Sequence, residues 1–282
     1  MTQVSNCSVR VGNVEEFLSQ IDQAYNTLCD ISQGSQCELW FRGQVNQNFT
    51  LLPSIGRPPI NNATLEDAYL SKFQSLAIPY IQNLPAFPLP NGVPSYWSWL
   101  VLMQHYGVPT RLLDWSRYAL AALYFATNPL DTGIQPGVDG VVWVLNPAKL
   151  NQAFSFNPNL QPGYIPNMEE AGFTQIFGPQ SQNLDNLKPA AAIAPVNNPN
   201  IMAQRGTFIV YPLKKNLIPL ENFEDASDYL IKICIASESF ALIHTQLQHY
   251  GITELALFPN ITNLAREINQ QVQNEGNRPT DP

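Results

Sequence analysis

Residues 103–126 read MQHYGVPTRLLDWSRYALAALYFA and gather Gln104, His105, Tyr106, Arg111, Asp114 and Trp115 within twelve positions, between apolar residues able to anchor them. The run otherwise reads as buried helix. A polar group held in such a place needs a partner or a ligand, because leaving it unpaired costs about 1–3 kcal/mol. The stretch is therefore the first place to look for a site. Upstream, Ser95 caps a helix through Trp97, Trp99, Leu102 and Met103 that stops at Gly107. Downstream of Ser116 an apolar helix, YALAALYFATN, runs to Asn128.

The stop at Gly107 has an echo, because Gln104-His105-Tyr106-Gly107 recurs as Gln248-His249-Tyr250-Gly251. Gly after His and Tyr in a last turn is the pattern of a left-handed helix cap, so both glycines are expected at positive φ. Only the first copy continues into an Arg and an Asp, as PTRLLDW against ITELALF.

Working outward, Val14 to Cys29 has helical apolar spacing behind an Asn13 cap, and Glu38 to Phe41 reads as a short buried strand ending at Arg42-Gly43. A strand end is where a side chain can leave a rigid scaffold. Residues 44–63 read as a loop, Thr64 opens a helix to Leu84 that Pro79 kinks or divides, and 85–94 is a Pro-rich connector. Further strands are read at Gly140 to Leu145, Gly206 to Tyr211, Tyr229 to Ala236 and Thr253 to Phe258. A helix after Ser237 or Ser239 ends at Gly251, Asn260 caps a final amphipathic helix, and the tail from Asn274 frays. Residues 146–203 sustain no period and read as a long irregular insertion, either a lid or substrate-reading surface or a variable segment. Strands and helices do not alternate regularly. The fold class is therefore α+β, with mixed or antiparallel sheets flanked by helices in one domain over 1–282, its core at 35–265.

Hydrophobic residues at 45% suffice for a substantial core, while a net charge of −8 excludes the broad basic surface by which most proteins hold nucleic acid. No apolar leader follows Met1 and no apolar run reaches membrane-spanning length, so the chain reads as cytoplasmic. Cys7, Cys29, Cys37 and Cys234 form no C-x-x-C pair and have no histidines at zinc-ligand spacing. They read as free, buried thiols, and no metal site is expected.

The segments WFRGQ (40–44), LLPSIGR (51–57), MQHYGVPTRLLDWS (103–116), ALYFA (122–126), QRGTFIVYP (204–212) and LFPN (257–260) resemble the bacterial FRG domain family. That family is named for the triplet found here at Phe41-Arg42-Gly43. A more distant resemblance is to ADP-ribosyltransferases of the arginine-serine-glutamate class, through Trp40 to Gly43, Gln204 to Pro212 and Leu123 to Ala126. It implies an ADP-ribosyltransferase-like fold that uses NAD as substrate, with Arg42 on the diphosphate. A guanidinium offers a rigid fork to phosphate oxygens, and a glycine such as Gly43 lets the backbone come close. Gln204 or Thr207 stands where those enzymes carry glutamate.

Candidate catalytic residues are therefore Asp114, His105 and Gln204, and candidate cofactor-binding residues are Arg42, Gly43, Tyr106, Arg111, Trp115 and Tyr124. Tyr106 and Trp115 are rings able to stack on nicotinamide or adenine. Each has a plainer reading: Arg111 and Asp114 form a local ion pair, and His105 is a helix-end histidine. The resemblances imply an NAD-using effector or toxin, as in phage defence, with RNA, DNA or protein as target and an antitoxin or inhibitor as partner. The alternative is a non-catalytic module that binds a nucleotide-like small molecule or a partner. A nuclease using His105 and Asp114 is a third reading, disfavoured by the acidic balance.

Overall fold

Seven strands form one sheet in the computed structural model, which describes residue 7 and residues 9–29, 37–81, 95–128, 131, 133–154, 161–181 and 186–276. They are β1 (Arg10–Val11), β2 (Trp40–Gln44), β3 (Leu112–Ser116), β4 (Gly140–Leu145), β5 (Ala190–Ala192), β6 (Gly206–Val210) and β7 (Leu230–Ile235), in the order β1-β7-β4-β2-β3-β6-β5. β1 runs parallel to β7, and every other neighbouring pair is antiparallel. The helices are α1 (Val14–Leu28), α2 (Glu66–Ile81), α3 (Tyr96–His105), α4 (Ala119–Thr127), α5 (Pro147–Phe154), α6 (Ala171–Phe177), α7 (Pro199–Gln204), α8 (Ala226–Tyr229), α9 (Phe240–His249), α10 (Glu254–Leu257) and α11 (Ile261–Gly276). The fold is α+β, with a mixed sheet flanked by helices. No helix among the described residues is long and apolar enough to cross a membrane.

Alternation along the strands sorts the core into three clusters. Phe41, Val142, Val144, Ile233 and Ile235 lie beneath α1, α4 and α9. On the same face, Leu112, Phe208 and Val210 lie beneath α3 and α6. Trp40, Leu113, Trp115, Trp143, Ile209 and Tyr211 fill the opposite face. Two helical layers thus share one face and meet above the middle of the sheet. There the sheet is nearly split: β2 and β3 share one register pair, Phe41 with Ser116, whereas β2 with β4 and β3 with β6 each share five.

Several expectations are corrected. LLDWS is a strand and not part of a helix, because Gly107 (φ 76°) stops α3 and Leu112 and Leu113 bury on opposite sheet faces. The strand read as ending at Arg42-Gly43 instead runs through them to Gln44, paired along its length with β4. Residues 146–203 hold α5, α6, β5 and α7 as regular elements too short for their period to show. Thr253 to Phe258 is a helical turn, because the Thr253 hydroxyl accepts from Ala256 N–H as an N-cap. α2 runs through Pro79 as one helix, while the expected end at Leu84 and the connector 85–94 lie outside the described residues. The cysteines pair as Cys7–Cys234 and Cys29–Cys37 rather than standing free. Their Cα atoms are 5.8 and 5.7 Å apart, a separation that depends on β1 pairing with β7 and on where α1 ends. The repeated Gln-His-Tyr-Gly ends a helix both times, with Gly107 and Gly251 at φ 76° and 77°. Val108 N–H then donates to Met103 O and Ile252 N–H to Leu247 O.

Arg111 locks the two sides of this face together. It is wholly buried, and its Nε donates to Glu66 Oε2 at 2.8 Å while its backbone N–H donates to Glu66 Oε1 at 2.7 Å. The remaining nitrogens donate to Tyr211 O at 3.1 Å, to the Tyr96 hydroxyl at 3.1 Å and to Phe177 O. One guanidinium therefore ties α2, α3, α6 and the end of β6 to the start of β3. Removing one partner of such a pair strands a buried charge at a cost of about 3–5 kcal/mol. Glu66→Ala should lower the unfolding free energy by about that amount. The double variant Glu66→Leu/Arg111→Met should lose less, and chemical denaturation of both proteins checks the difference.

Candidate functional site

A cleft of about 360 Å³ lies where α3 and α7 flank β3 and β6, and three of its lining residues are His105, Asp114 and Gln204. The last turn of α3 brings Gln104 and His105. β3 brings Asp114, whose side chain is 55% exposed. α7 brings Asn200, Ile201 and Gln204, and Phe258 closes one end. The Gln104 amide donates to Asp114 Oδ2 at 2.8 Å and to Leu112 O at 3.3 Å, while its oxygen accepts from the Thr110 hydroxyl. That network fixes the carboxylate against the cleft wall. Gln204 donates to Leu257 O at 3.0 Å, and its own carbonyl accepts from the Ser116 hydroxyl at 2.6 Å.

Arg42, on β2, meets the wall of this cleft from the other side of the sheet, through Asp114. Its NH1 donates to the Asp114 carbonyl at 2.6 Å and lies 3.9 Å from Asp114 Oδ2, so it spans the gap where the β2–β3 ladder stops. Although 16% of the side chain is exposed, desolvation brings its pKa down to about 10, with Arg57 pushing the same way and Asp114 opposing. It stays charged at neutral pH. Its Nε is buried without a hydrogen-bond partner among the described residues, as are Trp115 Nε1 and Thr207 Oγ1. Each such group costs about 1–3 kcal/mol if nothing pairs with it.

Trp115 borders the cleft, and the other expected site residues lie elsewhere. Arg111 is enclosed with Glu66, so it neither faces a ligand nor pairs with Asp114. Gly43 does not open the backbone to a phosphate, because a Cβ there would stand 1.8 Å from Ala122 O of α4. Tyr124 is 3% exposed and packs on His244, with ring centres 5.2 Å apart. The Trp115 ring sits in the core of the opposite face, so it offers no stacking surface. Tyr106 points into a different, apolar groove of about 530 Å³ between α2 and α3, whose lining carries Lys72 as its one charged side chain. That groove is larger than the cleft but holds none of the candidate catalytic residues. Asn198 and Asn200 were not legible as wall residues. Their only sequence cue is Asn198-Pro199, a helix cap followed by a first-turn proline.

Residues 37–132 match the family model of the FRG domain. The chain carries an FRG domain. No curated protein and no solved structure matches the chain significantly. The matched stretch of the FRG domain supplies Arg42, Arg57, His105 and Asp114, whereas the facing wall from Asn198 to Phe208 lies beyond the match.

Two outcomes follow from this geometry. Gly43→Ala should destabilise the fold by about 1–3 kcal/mol or more through overpacking against α4, read as a lower denaturation midpoint. A glycine serving only a ligand would leave that midpoint unchanged. Desolvation at the end of α3 lowers the pKa of the His105 ring, so an NMR titration should place it below the ordinary value of about 6.5. The folded state then takes up the proton less readily than the unfolded chain. Stability linked to His105 is full above the ordinary value and declines as pH falls towards the lowered one.

Proposed function

We propose that the cleft binds a nucleotide-like ligand with NAD as its type, and that Arg42 engages the diphosphate at its rim. The observation that carries this reading is the convergence of His105, Asp114 and Gln204, nearly a hundred residues apart at the extremes, on one cleft that Arg42 joins through Asp114. Used catalytically, the cleft would break the bond between the ribose and nicotinamide, and nicotinamide would leave with the bonding pair. The anomeric carbon would then bond to an acceptor or water, whose proton passes to His105 or Asp114. The Asp114 carboxylate would stabilise the positive charge developing on the ribose. Such chemistry suits a toxin or effector in phage defence that acts on RNA, DNA or protein and is held in check by an antitoxin.

A second reading, binding without transfer, is favoured by the cleft lining, which contains no glutamate and leaves Asp114 as its one carboxylate. Calorimetry with NAD and a transfer assay on cell extract separate the two. Arg42→Lys keeps the charge but loses the planar fork, so NAD affinity should fall by about 1.5–3 kcal/mol. Asp114→Asn should abolish transfer and spare binding if the carboxylate acts on the ribose. Wild-type protein that binds no NAD, with or without extract, would falsify the nucleotide reading.

A further inference from the structure

Three of the unpartnered donors stand side by side across three neighbouring strands: Arg42 Nε on β2, Trp115 Nε1 on β3 and Thr207 Oγ1 on β6. Trp115 pairs with Thr207, and Arg42 lies one residue beyond the Phe41–Ser116 pair, which sets it across from Trp115. Cross-strand partners share a sheet face, so the three form a row. Trp115 is 3% and Thr207 1% exposed. Trp40 Nε1, two residues before Arg42 on the same face of β2, is a fourth unpartnered donor. Trp143, also on this face, is by contrast satisfied, its Nε1 donating to Gln44 Oε1 at 2.9 Å.

The charges point the same way. Arg42 and Arg57 both feel the carboxylate of Asp114, which already accepts from Gln104. Two guanidiniums for one carboxylate leave a local positive excess in a chain of net charge −8. The row lies at the place where β2 and β3 are joined by one register pair, behind the cleft wall to which Trp115 and Thr207 contribute.

We propose that this row is a phosphate subsite, in which an oxyanion of the pyrophosphate type enters between β2 and β3 and accepts from Arg42 Nε, Trp115 Nε1 and Thr207 Oγ1. It rests on the nucleotide reading and assigns the diphosphate to the row, leaving the ribose and ring to the cleft. Charged hydrogen bonds of this kind are the strong ones, and three donors from three strands match the several faces of a phosphate better than the single edge of a neutral acceptor.

Trp115→Phe keeps an aromatic ring but removes the indole N–H and part of the ring volume, and Thr207→Val keeps the shape without the hydroxyl. Thr207→Val should not lower the melting temperature of the unliganded protein, because an unpaired donor contributes no bond to lose, whereas Trp115→Phe lowers it through the space it leaves in the core. Each should weaken inorganic pyrophosphate binding roughly tenfold or more in calorimetry. In the wild-type protein, pyrophosphate should also move one of the five tryptophan indole N–H resonances downfield. Variants that bind pyrophosphate as tightly as the wild type overturn the subsite, and so does an unmoved set of indole resonances. Titrating NAD and pyrophosphate separately keeps the two ideas apart. Pyrophosphate binding without NAD binding retains the subsite and removes the nucleotide reading, whereas NAD affinity unchanged in both variants does the reverse.

Discussion

Burying the Arg111 guanidinium is the constraint on which the rest of this face depends. A charge taken wholly out of water is tolerable only when each of its donors is met, and here Glu66, Tyr96, Tyr211 and Phe177 meet them. Those partners come from α2, α3, α6 and the residue following β6. Satisfying one side chain therefore fixes where four parts of the chain stand. Because Arg111 directly precedes β3, the same bonds set the position of Asp114 three residues on. The charge is spent on architecture, and the site inherits its geometry.

The second constraint is the close approach of α4 to β2. Gly43 leaves room for the Ala122 carbonyl, so the helix lies directly on the strand and its apolar side chains fill the space above β2, β4 and β7. α3 cannot occupy the same space, and it covers the β3–β6–β5 half of the sheet. The cleft is the seam left on this face where the two layers do not merge. Its polar lining follows from the same cause, since a seam open to water can hold Asp114 and His105 where a closed core could not.

The parts legible in the sequence are those set by local chemistry. Both Gln-His-Tyr-Gly stops were readable because a glycine at a helix end answers a need of the backbone that no distant contact alters. β4, β6 and β7 were readable from their apolar runs. What eluded the sequence depends on partners far along the chain. LLDWS carries enough Leu and Trp to pass for helix, and only its register with β6 makes it a strand. Arg111 and Asp114 sit three apart as if paired, yet the carboxylate that Arg111 needs is Glu66, 45 positions earlier. The disulfides were hidden in the same way, because Cys7 meets Cys234 only through the pairing of β1 with β7.

The Phe-Arg-Gly triplet shows how one short motif divides its labour. Phe41 lies in the core beneath α4, and Gly43 admits that helix against the strand. Alternation then turns Arg42 to the opposite face, beside the gap at which the sheet opens. A strand whose ladder continued would have used the Asp114 carbonyl as a backbone acceptor, and here the Arg42 side chain takes that place at 2.6 Å. The arginine thus closes one open position of the sheet with one nitrogen and holds its Nε unpartnered beside Trp115. A lysine there could still meet the carbonyl but has no second, rigidly placed donor to offer. The planar fork is what allows a single side chain to be both a structural strut and part of a ligand site.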